Sequence, residues 1–289
     1  MLKINNDEIK IIISDFDGTL RADKNKAINY EDVEEIKKAM SDGARFVINT
    51  GNVPFEMIET VEMIAPISED NKYIICCNGN AIKNYYTNQV KVETFFDNKT
   101  TKKIIDKIKL MDLDYDITSF DLDKIYYSNL EIMNQMIAMG LSKFDKLNRL
   151  PVSDEIVNEI QKCPKITLKN IKPEDKENLI KIIENDFHDI ELYATWFTSD
   201  GVDLGIAGPN KFQGIISLLE IINKENGSDI KLDNIIYFGD QHNDLEVFKN
   251  LKYAIAVGNA TEEIKKLAYD ITDTAENSGV AKYLQKISQ

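Results

Sequence analysis

The chain has 289 residues, room for about two domains at ~150 residues each. Its 43 % hydrophobic and 29 % charged residues are a globular mixture, which excludes a disordered or collagen-like chain. Thirty-five Lys and Arg against 49 Asp and Glu leave a formal charge of −14, which opposes binding to nucleic acid or to an anionic membrane.

Strand and helix patterns alternate from the start. Ile9 to Ile13 reads as a buried strand, a short β-branched run leading into a Gly-containing turn. Asn29 is placed to cap a helix whose apolar positions Val33, Ile36 and Met40 share one face, and Gly43 ends it. Arg45 to Asn49 is a second strand. Pro54 suits the first turn of a helix carrying Met57, Ile58, Val61 and Ile64 inward. Tyr73 to Cys77 is a third strand. This βαβαβ rhythm predicts a parallel sheet with helices on both faces.

After Asn78-Gly79 the pattern changes. A hairpin is expected over Tyr85 to Phe96, turning at Thr87-Asn88, followed by a helix at Lys99 to Met111. Strands are expected at Tyr115 to Phe120, Ile125 to Tyr127, Lys165 to Lys169, Asp189 to Phe197 and Gly201 to Ile206, with helices at Leu130 to Gly140 and Glu174 to Phe187. The parallel rhythm then returns. A helix at Asn210 to Asn223 leads to a strand at Asn234 to Phe238, a helix at Asn243 to Leu251 and a strand at Tyr253 to Val257. The expected fold is therefore α/β, a Rossmann-like parallel-sheet core of residues 1–85 plus 207–289 interrupted by an α+β insert of residues 86–206.

Cys76, Cys77 and Cys163 cannot build a disulfide framework, and no CxxC spacing points to zinc. A reducing cytoplasm fits this usage. The N-terminus lacks a signal-peptide pattern, and no apolar run approaches the ~20 residues that span a bilayer. A soluble cytoplasmic protein with no membrane partner is expected. Lys102-Lys103 and Lys265-Lys266 are isolated pairs, so no nucleic-acid patch is expected either.

Two acidic signals follow buried strands. Asp15-Phe16-Asp17-Gly18-Thr19-Leu20 comes directly after the first, and Gly239-Asp240-Gln241-His242-Asn243-Asp244 after a late one. Either alone reads as an ordinary acidic turn or helix cap. In a parallel sheet, however, both reach the rim at the carboxyl ends of the strands, where catalytic crevices lie. Asp15, Asp17, Asp240 and Asp244 converging there make a divalent-metal site the simplest reading, and hard oxygen ligands favour Mg²⁺. Thr50-Gly51-Asn52 ends the second strand and offers a hydroxyl and a backbone N–H to phosphate oxygens, beside the favourable dipole of the next helix. Lys211, after Gly208-Pro209-Asn210, is the cation best placed to neutralise a bound phosphate.

This ordered set resembles the haloacid dehalogenase-like superfamily, and the insert resembles the type IIB cap of its Cof-type subgroup. Ala256-Val257-Gly258-Asn259-Ala260 and Asn277-Ser278-Gly279-Val280-Ala281 match that subgroup as well. The resemblance implies a Mg²⁺-dependent phosphatase acting on a small phosphorylated metabolite, such as a sugar or cofactor phosphate. It implies that Asp15 is the nucleophile that becomes phosphorylated, and that Asp17 protonates the leaving oxygen and then activates water. Asp15, the Asp17 backbone carbonyl and Asp240 would hold the metal, with Asp244 in support, while Thr50, Gly51, Asn243 and Lys211 grip the phosphoryl oxygens. A phosphomutase, or a non-catalytic sensor of phosphometabolites, is the alternative. Many Cof-type members carry Arg directly after the Thr-Gly pair, whereas this chain has Asn52. That bears on substrate choice, because a forked cation is missing at that place. Neither the physiological substrate nor the oligomeric state is legible.

Overall fold

The structure is a computed structural model and describes residues 2–23, 27–140, 142–196 and 199–288. The chain divides into two compact units, Met1–Asn52 with Met57–Lys91 and Asn210–Gln289, and Val53–Glu56 with Val92–Pro209.

An eight-stranded sheet forms the first unit. Its order is Asp270–Ile271, Tyr253–Ala256, Ile235–Gly239, Ile11–Ser14, Arg45–Asn49, Tyr73–Cys76, Ala81–Asn84 and Val90–Val92. The strands from Asp270–Ile271 to Tyr73–Cys76 run parallel, and Ala81–Asn84 turns back antiparallel. Ile12 pairs with Phe46 on one side and Ile236 on the other. Alternate side chains serve two cores. Ile12, Phe46, Ile236 and Ile255 pack with Val33 and Ile36, Met57 and Val61, and Val280 and Leu284. Ile11, Ile13, Val47 and Tyr237 pack with Ile215 and Leu218, Val247 and Phe248, and Ile264. Burial on both faces is why these strands read as unbroken apolar runs. The fold class is thus mixed α/β around a parallel sheet, as expected.

Three local readings change. Asn29 precedes the helix Tyr30–Ser41, but its side chain makes no cap bond and instead donates to the Ala275 carbonyl at 2.9 Å. The hairpin turns around Thr87-Asn88 as expected, but its first strand lies earlier, at Ala81–Asn84, and pairs with Val90–Val92 at the sheet edge. Asn84 sets it by accepting from the Tyr86 and Thr87 amides at 3.0 Å each. The helix expected from Asn243 to Leu251 begins as a 3₁₀ turn, His242–Asp244, and becomes α-helical at Leu245–Asn250.

The second unit carries a six-stranded sheet ordered Arg149–Pro151, Ile125–Tyr127, Asp114–Thr118, Ile166–Lys169, Val202–Ile206, Leu192–Trp196. One face, with Ile117, Ile166, Leu168 and Leu204, packs on Ile104, Ile105 and Ile108 of helix Asn98–Leu110 and on Leu179 of helix Lys176–Asp186. Across the sheet, polar side chains pair with one another. Lys169 meets Asp116 at 2.6 Å, and Thr167 donates to Asp203 at 2.7 Å. The expected strand ending at Phe197 runs to Trp196, and Phe197 itself lies outside the described residues. Among the described residues no helix is long and apolar enough to cross a membrane.

Candidate active site

Strands Ile11–Ser14 and Ile235–Gly239 are parallel neighbours in register, so the residues after them emerge side by side. The Asp15 amide donates to the Phe238 carbonyl at 2.9 Å, which fixes that rim. Asp15, Asp240 and Asp244 each offer a carboxylate oxygen within 4.8 Å of the others, and all three are buried.

Among the described residues, one cation enters this cluster. Lys211 opens the helix Lys211–Asn226, where the Asn210 side chain caps by accepting from the Gln213 amide. Its fully buried Nζ lies 2.7 Å from Asp15 Oδ1 and 2.6 Å from Asp244 Oδ1. Asp244 is saturated. Tyr237 donates to Oδ1 at 2.6 Å, and the Asp240 and Gln241 amides donate to Oδ2 at 2.8 and 3.1 Å. It therefore holds both the lysine and the loop that carries Asp240.

Burial, followed by the neighbouring charges, sets the protonation of the cluster. Loss of solvent pushes the Asp15 carboxyl well above its usual range; Lys211 opposes this, while Asp244 and Asp240 add to it. Burial, reinforced by Asp244, pushes Asp240 up to about 6. For Lys211 burial disfavours the ammonium, but Asp15 and Asp244 outweigh it and hold its pKa above that of an ordinary lysine. Lys211 thus stays charged at neutral pH. Three buried carboxylates against one ammonium leave negative charge uncompensated, and an all-oxygen donor set of this kind fits a hard divalent cation.

Asp17 is held apart from that cluster. Its Oδ1 accepts from Arg21 Nε at 3.0 Å and Nη2 at 2.5 Å, and its Oδ2 accepts from Asn52 Nδ2 at 2.9 Å. The Arg21 guanidinium lies 4.5 Å from the centroid of the Phe16 ring. Directly after Asp17 the chain turns at Gly18, with φ +86°, where a Cβ would come within 2.4 Å of Asp240 Oδ2. Only glycine fits there. Thr19 donates to Asp240 Oδ1 at 2.8 Å. Asn259 donates to the Gly18 carbonyl at 2.7 Å and accepts from the Ala275 amide at 2.8 Å, which gives the Ala256–Ala260 stretch its role as a tie.

Thr50 and Gly51 follow the strand Arg45–Asn49. Thr50 is buried, and its Oγ1 accepts from the Asn52 amide at 3.1 Å. The Thr50 carbonyl accepts from the Asn78 amide at 3.0 Å. Asn243 donates to Asn78 Oδ1 at 3.2 Å, while its own buried Oδ1 has no partner. Cys77, Asn78 and Gly79 have φ of +51°, +55° and +89°. Gly79 lies so close to Asn210 that a Cβ would sit 2.0 Å from its carbonyl oxygen. This turn links the Thr50 loop to the start of the Lys211 helix.

Thus Asp15, Asp240, Asp244 and Lys211 are in one cluster, Asp17 is linked to Asn52, Thr50 and Asn243 are linked through Asn78, and Gly51 follows Thr50 in the chain. Residue spacing alone missed Arg21, Asn78 and Tyr237. Arg21 directly follows the Asp15–Leu20 stretch, and Asn78-Gly79 marks the change in pattern, so those two left a trace. Tyr237, inside a buried strand, left none. His242 is exposed, with Nδ1 3.6 Å from Glu263.

Sequence and structure comparisons place the chain among known proteins. A family model described as haloacid dehalogenase-like hydrolase matches residues 12–284. Over 278 residues the chain is 24 % identical to a 5-amino-6-(5-phospho-D-ribitylamino)uracil phosphatase of Bacillus subtilis, covering 96 % of this chain and 95 % of that one. It is 26 % identical over 280 residues to a phosphoglycolate phosphatase of Methanobrevibacter smithii, covering 96 % and 98 %. The crystal structure of a haloacid dehalogenase-like hydrolase from Bacteroides thetaiotaomicron superposes with a TM-score of 0.82 at 21 % identity, over 97 % of this chain and 100 % of that one. The family match begins inside the first core strand and ends inside the last helix, so it takes in both halves of the interrupted core and not a single motif. On that span the chain belongs to the haloacid dehalogenase-like hydrolase family.

Proposed function

We propose that the protein is a Mg²⁺-dependent phosphatase that hydrolyses a small phosphorylated metabolite through a phosphoaspartate on Asp15. The observation that carries this is the buried Lys211 ammonium, paired to Asp15 within an acidic cluster at the rim of a parallel sheet. Lys211 fixes one Asp15 oxygen and leaves the other to attack phosphorus. As the Asp15 O–P bond forms, the ester P–O bond breaks, and Asp17 gives its proton to the departing oxygen. Asp17 then takes a proton from water as the water oxygen bonds to phosphorus, which frees Asp15 and releases phosphate. Thr50, Gly51, Asn243 and Lys211 hold the phosphoryl oxygens, since in-line transfer depends chiefly on positioning and charge neutralisation. Asp15, Asp240 and the Asp17 carbonyl would hold Mg²⁺, with Asp244 behind them. Bound there, the ion supplies neutralisation of the phosphoryl charge. The division into a core of residues 1–85 plus 207–289 and a cap of residues 86–206 is part of the same reading.

A phosphate-release assay tests it, with phosphoglycolate, the ribityl-pyrimidine phosphate of the Bacillus relative, sugar phosphates and cofactor phosphates as the panel. Release with Mg²⁺, none with EDTA and poor release with Ca²⁺ is the expected result, because in-line attack suits tight octahedral geometry better than the looser Ca²⁺ shell. Isomerisation primed by a bisphosphate would make the protein a mutase. Neither reaction would leave a sensor.

Metal binding also has a stability signature. A carboxyl whose pKa folding raises stabilises the fold below its unfolded value, and that contribution is lost as pH rises through the folded value. For Asp240 the window runs from 3.8 to about 6, and Asp15 acts in the same direction. The metal-free protein should therefore lose stability as pH rises through that window. Saturating Mg²⁺ should raise the melting temperature by about 5 °C at neutral pH and far less near pH 5. An equal shift at both pH values in thermal scans would contradict the assignment.

A further inference from the structure

Asp17 spends both carboxyl oxygens on different kinds of partner. Arg21 presents donors only, so the oxygen it holds, Oδ1, is the one that stays without a proton. Asn52 presents an amide, which has both a donor and an acceptor in one plane. In this structure it donates to Oδ2. A protonated Oδ2 keeps a lone pair, so the same N–H goes on donating to it while the O–H points at the ester oxygen. The Asn52 backbone is pinned on both sides: its amide donates to Thr50 Oγ1 at 3.1 Å, and its carbonyl accepts from the Cys77 amide at 3.2 Å.

We infer that Asn52 is the positioning residue of the proton-transfer group Asp17, bonding to Oδ2 whether or not that oxygen carries the proton, while Arg21 anchors Oδ1. The inference rests on the role of Asp17 proposed above. The proton moves from Oδ2 to the ester oxygen as the ester P–O bond breaks, and a water proton returns to Oδ2 as the water oxygen bonds to phosphorus. Asn52 exchanges nothing. It keeps the carboxyl plane fixed through both transfers.

A residue that only held the loop together would affect all substrates alike; one that positions the acid would matter most where the leaving oxygen needs a proton. The test is kcat/KM, which reports the phosphoenzyme-forming half-reaction, for Asn52→Leu and Asn52→Ala in the full chain. Two esters are compared: p-nitrophenyl phosphate, whose phenolate leaves readily, and phosphoglycolate or whichever sugar phosphate is turned over faster. The alkyl phosphate should lose at least about 10-fold and p-nitrophenyl phosphate less than about 3-fold, within the range that acid catalysis provides. Equal losses on both esters, or none on either, would overturn the inference. Asp17→Asn is measured beside them. If it keeps near-normal activity on the alkyl phosphate, the proposed mechanism fails at its acid; if it is inactive while the Asn52 variants lose both esters equally, only the role of Asn52 fails.

Discussion

Asp15→Asn is expected to reduce turnover by at least about 10³-fold, the scale on which removing a covalent nucleophile acts. The amide has the volume of the carboxylate but no charge with which to attack phosphorus. The fold should survive, because Lys211 keeps Asp244 at 2.6 Å and the Asp15 backbone amide still bonds to Phe238. One buried charge fewer also relieves the cluster, since burial and two carboxylate neighbours already push Asp15 toward its neutral form. Acid-quenched mixtures of enzyme and ³²P-labelled substrate should show protein-bound label in the native enzyme and none in the variant. A variant that turned over at near-normal rate would rule out Asp15 as the nucleophile.

The readable part of this site is the part set by the sheet. Strands buried on both faces leave continuous apolar runs, and each of three runs ends where a candidate site residue begins: Asp15 after Ile11–Ser14, Thr50 after Arg45–Asn49, Asp240 after Ile235–Gly239. Parallel register then brings Asp15 and Asp240 together with no further information. What could not be read depends on side-chain hydrogen bonds between loops. The link from Asp17 to Asn52 spans 35 residues, and the one from Asn243 to Asn78 spans 165. Neither follows a periodicity. The left-handed turn at Cys77–Gly79 was half hidden: Asn78-Gly79 favours positive φ, but Cys77 gives no warning of it. In the second unit Ile125–Tyr127 falls where it was expected, but other short strands escape pattern reading. Arg149–Pro151 has three residues and Lys162–Cys163 two, too few to show alternation. Arg149 is also buried in spite of its charge, held by Asp145 at 2.8 Å and by Tyr127.

Lys211→Met should affect stability and activity together, and the way the two change with pH identifies the cause. Methionine approximates the length of the lysine stem, so the fully buried site stays filled and what disappears is the charge. Asp15, Asp240 and Asp244 would then face one another with no cation from the described residues between them. Breaking a buried pair by removing one partner costs about 3–5 kcal/mol, and turnover should fall by at least about 10²–10³-fold, as for loss of a preorganised stabiliser of transition-state charge. The pH dependence separates charge from packing. Lys211 has a raised pKa, so its own contribution is fully present below its unfolded value of 10.5 and does not vary between pH 5 and 7.5. Any change across that interval must come from the carboxyls. Without the lysine opposing it, Asp15 holds its proton more tightly, and Asp240 already titrates at about 6. The metal-free variant should therefore recover stability as pH falls from 7.5 to 5, and by more than the metal-free native protein does over the same range. Urea unfolding at the two pH values measures this directly. A loss below about 1.5 kcal/mol that does not change with pH is what a volume-conserving core swap would give, and it would mean that Lys211 fills space at this rim without balancing its charge.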